Sequence, residues 1–175
     1  DCACCPPNLA RLLASLGQYV YGIADDALAV HLYVQSEARV TLAGQPVILR
    51  QTTDYPWQGR VALLLDLPTP TRFSLRLRLP GWSPGATLAV NGASLDLAGR
   101  VERGYIVIDR EWRAGDDVAL DLPMPIERIY AHPDVRADVG RVALQRGPLV
   151  YCVEGVDHAA PLDRLALPVD APLSA

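Results

Sequence analysis

A chain of 175 residues can bury roughly 70% of its unfolded surface, enough for a self-standing core. Its 16 basic residues are all Arg, mostly scattered singly, and 20 acidic residues outweigh them to a net charge of −4. No patch can therefore neutralise a row of phosphates, which argues against a nucleic-acid partner. No run approaches the ~18 apolar residues that a membrane span needs, which argues against a membrane partner, and no basic-then-apolar leader is visible.

The chain opens on Asp1-Cys2-Ala3-Cys4-Cys5-Pro6-Pro7-Asn8, with three cysteines inside five residues. Asp1 is not an initiator Met, so the segment reads as the tail of something that precedes it. Adjacent Cys4 and Cys5 cannot easily bridge each other, because a disulfide needs Cβ atoms ~3.5–4.5 Å apart in a particular orientation. Metal or nucleophile chemistry is the natural reading of the cluster. Thiols without a spaced disulfide framework also fit a reducing compartment, here the cytoplasm. Pro6 and Pro7 fix φ near −65° and remove two amide donors, so the thiols sit on a rigid turn and the helix starts at Pro7 or Asn8. Leu9, Leu12, Leu13 and Leu16 fall at i, i+3, i+4 and i+7, one apolar stripe at helical period, and Gly17 stands where a C′ residue would end it. A leucine stripe left in solvent favours self-association, so a homodimer through this helix is expected.

From Tyr19 the period changes to two. Strands are predicted over residues 18–23, 28–34, 38–42, 47–53, 60–67, 72–79, 87–90, 105–109, 117–122, 126–131, 141–145 and 149–154. Asp25-Asp26, Ala43-Gly44, Trp57-Gln58-Gly59, Asn91-Gly92 and Ala114-Gly115-Asp116 separate apolar runs, and Asn91-Gly92 is the strongest hairpin signal. Ser74, Arg76 and Arg78 alternate with Phe73, Leu75, Leu77 and Leu79, so one face of that strand is wet. The run 61–65 is continuously apolar and is expected to be buried throughout, in the middle of a sheet. The fold class is thus mainly β, an antiparallel β-sandwich preceded by one short α-helix. Residues 159–175, rich in Pro and Ala, read as an extended tail.

The motif Cys4-Cys5-Pro6-Pro7-Asn8, followed by Leu9-Ala10-Arg11-Leu12-Leu13-Ala14, resembles the β-L-arabinofuranosidases of glycoside hydrolase family 127. The resemblance continues through Thr53-Asp54-Tyr55-Pro56-Trp57, Leu79-Pro80-Gly81-Trp82, Val90-Asn91-Gly92, Leu122-Pro123-Met124-Pro125 and residues 140–151, nearly the whole chain. It implies that residues 1–18 are the end of a helical (α/α) barrel catalytic domain lying upstream, that residues 19–158 form the β-sandwich region, and that the chain continues past residue 175. By position, Cys4 matches the family's nucleophile, and Cys4 and Cys5 two of its zinc ligands. The remaining ligands, a Glu and a Cys, and the acid/base Glu would come from the upstream domain. The implied parent is a zinc-dependent retaining glycoside hydrolase acting on arabinofuranosyl linkages of plant-type glycans, and these residues alone would be inactive. The rival reading is a carbohydrate-binding or scaffolding β module without chemistry of its own.

The other reactive side chains read as structural. Cys2 is open between a spare zinc ligand, a site-lining thiol and a disulfide partner. Cys152, inside Val150-Tyr151-Cys152-Val153, is expected in the core of a strand. His31 is read as a satisfied or exposed strand residue, His132 as part of a loop with Asp134, and His158 as solvated near the tail. Trp57, Trp82 and Trp112, with Tyr55 and Tyr105, are read as core anchors rather than a sugar platform. None of the five Glu residues has a carboxylate partner at catalytic spacing.

Overall fold

The computed structural model describes residues 4–159 and 161–174. Helix α1 (Cys5–Ser15) is followed by a 3₁₀ turn (Leu16–Tyr19) and by strands β1 (Tyr21–Ala24), β2 (Ala27–Val30), β3 (Ser36–Leu42), β4 (Gln45–Thr53), β5 (Arg60–Asp66), β6 (Thr71–Arg78) and β7 (Thr87–Val90). Then come β8 (Ala93–Leu95), β9 (Val101–Glu102), β10 (Tyr105–Trp112), β11 (Asp117–Asp121), β12 (Ile126–Ile129), β13 (Ala143–Arg146) and β14 (Leu149–Tyr151). The chain divides into two compact units, residues 1–123 and 124–175.

In the first unit two sheets form a sandwich. One has the order β1-β2-β6-β10-β9 and the other β3-β4-β5-β11-β7-β8. Every pairing is antiparallel except β2 with β6, which is parallel because the chain leaves for the second sheet after β2 and returns beside it as β6. Leu28, Val30, Phe73, Leu75, Leu77, Ile106 and Ile108 from the first sheet meet Leu49, Val61, Leu63, Leu65, Leu88, Val118 and Leu120 from the second, all buried. Alternation along each strand produces this: Thr71, Phe73, Leu75 and Leu77 point inward, and Arg72, Arg76 and Arg78 outward, as expected.

The run 61–65 departs from expectation. β5 does lie inside its sheet, between β4 and β11, but it alternates: Val61, Leu63 and Leu65 are buried, whereas Ala62 and Leu64 face out, Leu64 being 41% exposed. Only one face of this sheet has a partner layer, so an apolar residue on the other face stays in solvent whatever its neighbours are. Helix α1 also differs at both ends. It begins at Cys5, with the prolines in the first turn, where the missing amides cost nothing, and Gly17 does not end it in a left-handed conformation; the chain continues through the 3₁₀ turn to Tyr19.

Three two-residue hairpins have both turn residues at positive φ, the twist-matched form: Ala43 (47°) with Gly44 (75°), Asn91 (51°) with Gly92 (75°), and Arg103 (49°) with Gly104 (82°). Asn91 does more than turn the chain. Its Nδ2 donates to Asp116 Oδ1 at 2.7 Å, its Oδ1 accepts from the Asp117 amide at 2.9 Å, and the other Asp116 oxygen accepts from the Arg113 amide at 2.9 Å. A largely buried carboxylate is thereby satisfied, and the loops before β8 and β11 are fixed together. Gly59 is required for a different reason: a Cβ there would stand 1.9 Å from the Leu122 carbonyl oxygen.

The second unit contains the antiparallel sheet β12-β13-β14 and, further on, a 3₁₀ turn (Leu162–Arg164). An Arg128 Nη2 to Ala171 carbonyl hydrogen bond ties the following segment to β12. Among the unit's described residues only Gly147 is buried.

The register of β5 makes a sharp contrast. Leu63→Ala is expected to cost about 2–5 kcal/mol, as for a buried leucine losing its contacts, and Leu64→Ala to stay within about 0.5 kcal/mol of the parent. Urea unfolding of the two variants checks this, and equal losses would contradict the observed alternation.

Candidate active-site residues

Helix α1 has two stripes. Leu9, Leu12 and Leu13, with Leu16 of the following 3₁₀ turn, form the apolar one, and all four are exposed. Cys4, Asn8, Arg11 and Ser15, at i, i+4, i+7 and i+11, form a polar one. Cys4 is the N-cap residue in helical conformation, and Cys5 opens the helix. Their Sγ atoms lie 3.5 Å apart, and both residues are exposed. Two thiolates on a tetrahedral zinc, each ~2.3 Å from the metal, would stand about 3.8 Å apart. The pair therefore fits two of the four positions of a zinc site. Among the described residues no group of three or more His, Cys, Asp or Glu side chains is placed to hold a metal. Cys2 lies outside the described residues.

The turn bearing the thiols is tied down by Asn8. Its backbone amide donates to the Cys4 carbonyl at 3.3 Å, and its side-chain Nδ2 donates to the same oxygen at 2.5 Å. Arg11 Nη2 in turn donates to Asn8 Oδ1. The sequence alone gives Asn8 as a possible helix start and part of the family motif, and Arg11 only as part of that motif. Their spacing from Cys4, four and seven residues, carried the signal that they share its face.

The other candidates disperse. His31 is half-buried, with Nδ1 2.8 Å from the Tyr105 hydroxyl, a satisfied residue as expected. His132 and Asp134 are exposed, with Nδ1 to Oδ2 at 3.5 Å, and His158 is exposed. Trp112 is a core anchor: it is fully buried, stacks on Phe73 at 5.8 Å, and its Nε1 donates to the Phe73 carbonyl at 3.1 Å. Tyr55 and Trp82 are half-buried, stack on each other at 6.3 Å and pack against the core. Beside them Tyr33 is buried and donates to the Arg78 carbonyl; burial pushes its phenol pKa up, against the opposing pull of the Arg78 charge. Trp57 departs from the reading as an anchor, being 66% exposed on the turn between β4 and β5.

Cys152 also departs. It is exposed just past the edge strand β14, beside exposed Val150, Tyr151 and Val153. An apolar run is buried only where a second layer covers it, and none of the described residues of this unit covers that face of the small sheet. Tyr151, Cys152 and Val153, with Leu144, Leu162 and Leu165, line an open hollow of about 920 Å³.

The family model for the β-L-arabinofuranosidase GH127 middle domain matches residues 27–124, and that for the glycoside hydrolase family 127 C-terminal domain matches residues 126–175. The non-reducing end β-L-arabinofuranosidase of Bifidobacterium longum subsp. longum is 40% identical over 171 residues, covering 92% of this chain and 25% of that protein. The crystal structure of a GH127 β-L-arabinofuranosidase from Geobacillus stearothermophilus T6 superposes with a TM-score of 0.93 at 51% identity, covering 98% of this chain and 27% of that one. A GH127 β-arabinofuranosidase structure gives 0.82 at 36% identity, covering 89% and 27%. The chain thus spans about a quarter of the length of these relatives.

Exposure of Cys152 is directly measurable. Iodoacetamide is expected to modify it in the native protein at a rate close to that of a small-molecule thiol, and mass spectrometry of the peptide would show this; protection until denaturant is added would restore the core assignment.

Proposed function

Because the chain belongs to glycoside hydrolase family 127, we propose that it is the C-terminal part of a retaining β-L-arabinofuranosidase in which Cys4 is the nucleophile and Cys4 and Cys5 are two of the zinc ligands. The observation that carries this is the thiol pair, 3.5 Å apart and exposed at the head of α1. A bound zinc would supply charge that keeps the thiol deprotonated at neutral pH, where a thiol of ordinary pKa near ~8.5 is mostly protonated. Cys4 Sγ attacks the anomeric carbon, the glycosidic C–O bond breaks, and a general acid protonates the leaving oxygen. Water then cleaves the glycosyl–sulfur bond, and two displacements give net retention. Sulfur occupies the role that a carboxylate has in most retaining enzymes, where the two carboxyl groups stand ~5–5.5 Å apart.

The acid/base carboxylate and the remaining zinc donors lie, on this reading, in a helical domain upstream. The arabinofuranosyl linkages of plant-type glycans are the substrate class. The exposed leucine face of α1 makes self-association of the 175 residues on their own the expected behaviour, since each leucine buried recovers about 1.5–3 kcal/mol. Sedimentation as a clean monomer would argue against it.

Hydrolysis of an activated aryl β-L-arabinofuranoside tests the catalytic reading. In the full-length enzyme Cys4→Ser is expected to abolish turnover, and Cys5→Ser to act chiefly by lowering zinc content. Residues 1–175 alone, with zinc added, are expected to give no turnover, since general acid help by itself is worth about 10²–10⁴-fold. Cys4-dependent turnover by these residues alone would put the active site elsewhere.

A further inference from the structure

We infer that Asn8 and Arg11 are positioning residues that fix the orientation of the Cys4–Cys5 pair; the inference rests on the reading of that pair as the catalytic and metal-binding thiols. Pro6 and Pro7 have no amide hydrogen, so the first helical N–H able to return to the Cys4 carbonyl is that of Asn8, and at 3.3 Å this bond is long. The Asn8 side chain supplies the shorter contact, with Nδ2 2.5 Å from the same oxygen. An amide side chain that could rotate would hold nothing, but Arg11 Nη2 occupies Oδ1 and so leaves Nδ2 directed at Cys4. Ser15 completes the stripe, its Oγ donating to the Arg11 carbonyl at 2.9 Å. The chain of contacts Arg11, Asn8, Cys4 carbonyl runs along one face of α1, while none of the leucines on the other face is buried.

The orientation of that plane sets the directions of both Cα–Cβ bonds, and misplacing a reacting group by 1 Å can cost about 10²-fold. Asn8 is a helix-surface position and Ala is the best helix former, so Asn8→Ala removes the tether without breaking the helix. Asn8→Asp keeps the shape and the contact to Arg11 but cannot donate to a carbonyl. Arg11→Met removes the brace, and Arg11→Lys keeps one donor.

The test uses the full-length enzyme with these four substitutions and reads two quantities. The first, on metal-free protein, is the ratio of iodoacetamide alkylation rates at Cys4 and Cys5, resolved by mass spectrometry. The second is kcat and KM on an aryl arabinofuranoside with zinc. Asn8→Ala, Asn8→Asp and Arg11→Met are expected to change the alkylation ratio several-fold and to lower kcat by about 10-fold or more with KM within about two-fold, and Arg11→Lys to restore part of both. An alkylation ratio equal to that of the parent in Asn8→Ala and Arg11→Met overturns the inference. The alkylation ratio needs no turnover, so it decides the positioning role even if Cys4→Ser proves active and the nucleophile reading falls.

Discussion

Burial of one face of every long strand between two sheets is the constraint on which the first unit depends. A strand alternates its side chains, so each inward residue fixes the register of its neighbours, and a slip by one would carry Arg72, Arg76 and Arg78 into the core in place of Phe73, Leu75 and Leu77. Trp112 shows how fully the faces interlock. It stacks on Phe73, bonds its indole N–H to that residue's carbonyl, and carries the Arg110 guanidinium 5.1 Å from its ring centroid, so a large side chain is buried with its one polar atom satisfied.

The connection from β2 to β3, which passes from one sheet to the other, brings backbone carbonyls into the interior that no strand can satisfy. Gln51, almost fully buried on β4, does so: its Nε2 reaches the Val34 carbonyl at 2.9 Å and the Leu32 carbonyl at 3.3 Å. Tyr21 from β1 and Ser36 from β3 close the group, their hydroxyls 2.8 Å apart. One polar side chain thereby joins β1, β3, β4 and the crossing segment.

Most of this architecture was legible in the sequence because period-two alternation and turn residues report the same thing twice. All twelve predicted strands correspond to observed ones, with ends shifted by a few residues. The two further strands, β8 and β9, are short and mixed in polarity, and β9 is followed by Arg103 at positive φ, a turn residue with no compositional signature. The errors at residues 61–65 and at Cys152 share one cause: hydrophobicity says that a residue can be buried, whereas a second layer decides whether it is. For the site, adjacency made the thiols conspicuous. Asn8 and Arg11 were hidden because the same helical period that displays a leucine stripe draws attention away from its polar counterpart.

The two stripes of α1 are coupled through the stability of the helix. An isolated helix of 11 residues is marginal in water, because nucleation costs several fixed dihedrals before the first hydrogen bonds repay it. Tertiary burial normally makes up the deficit, and here no residue of α1 is buried. The prolines lower the cost at the first turn, and the Arg11–Asn8 contacts stabilise that turn locally, but neither replaces a packed face. Any surface that covers Leu9, Leu12, Leu13 and Leu16 therefore stabilises the same turns that hold Cys4 and Cys5. Packing on one side of the helix and orientation of the thiols on the other are consequences of one folding equilibrium, which is why a thiol pair can be preorganised by contacts that never touch sulfur.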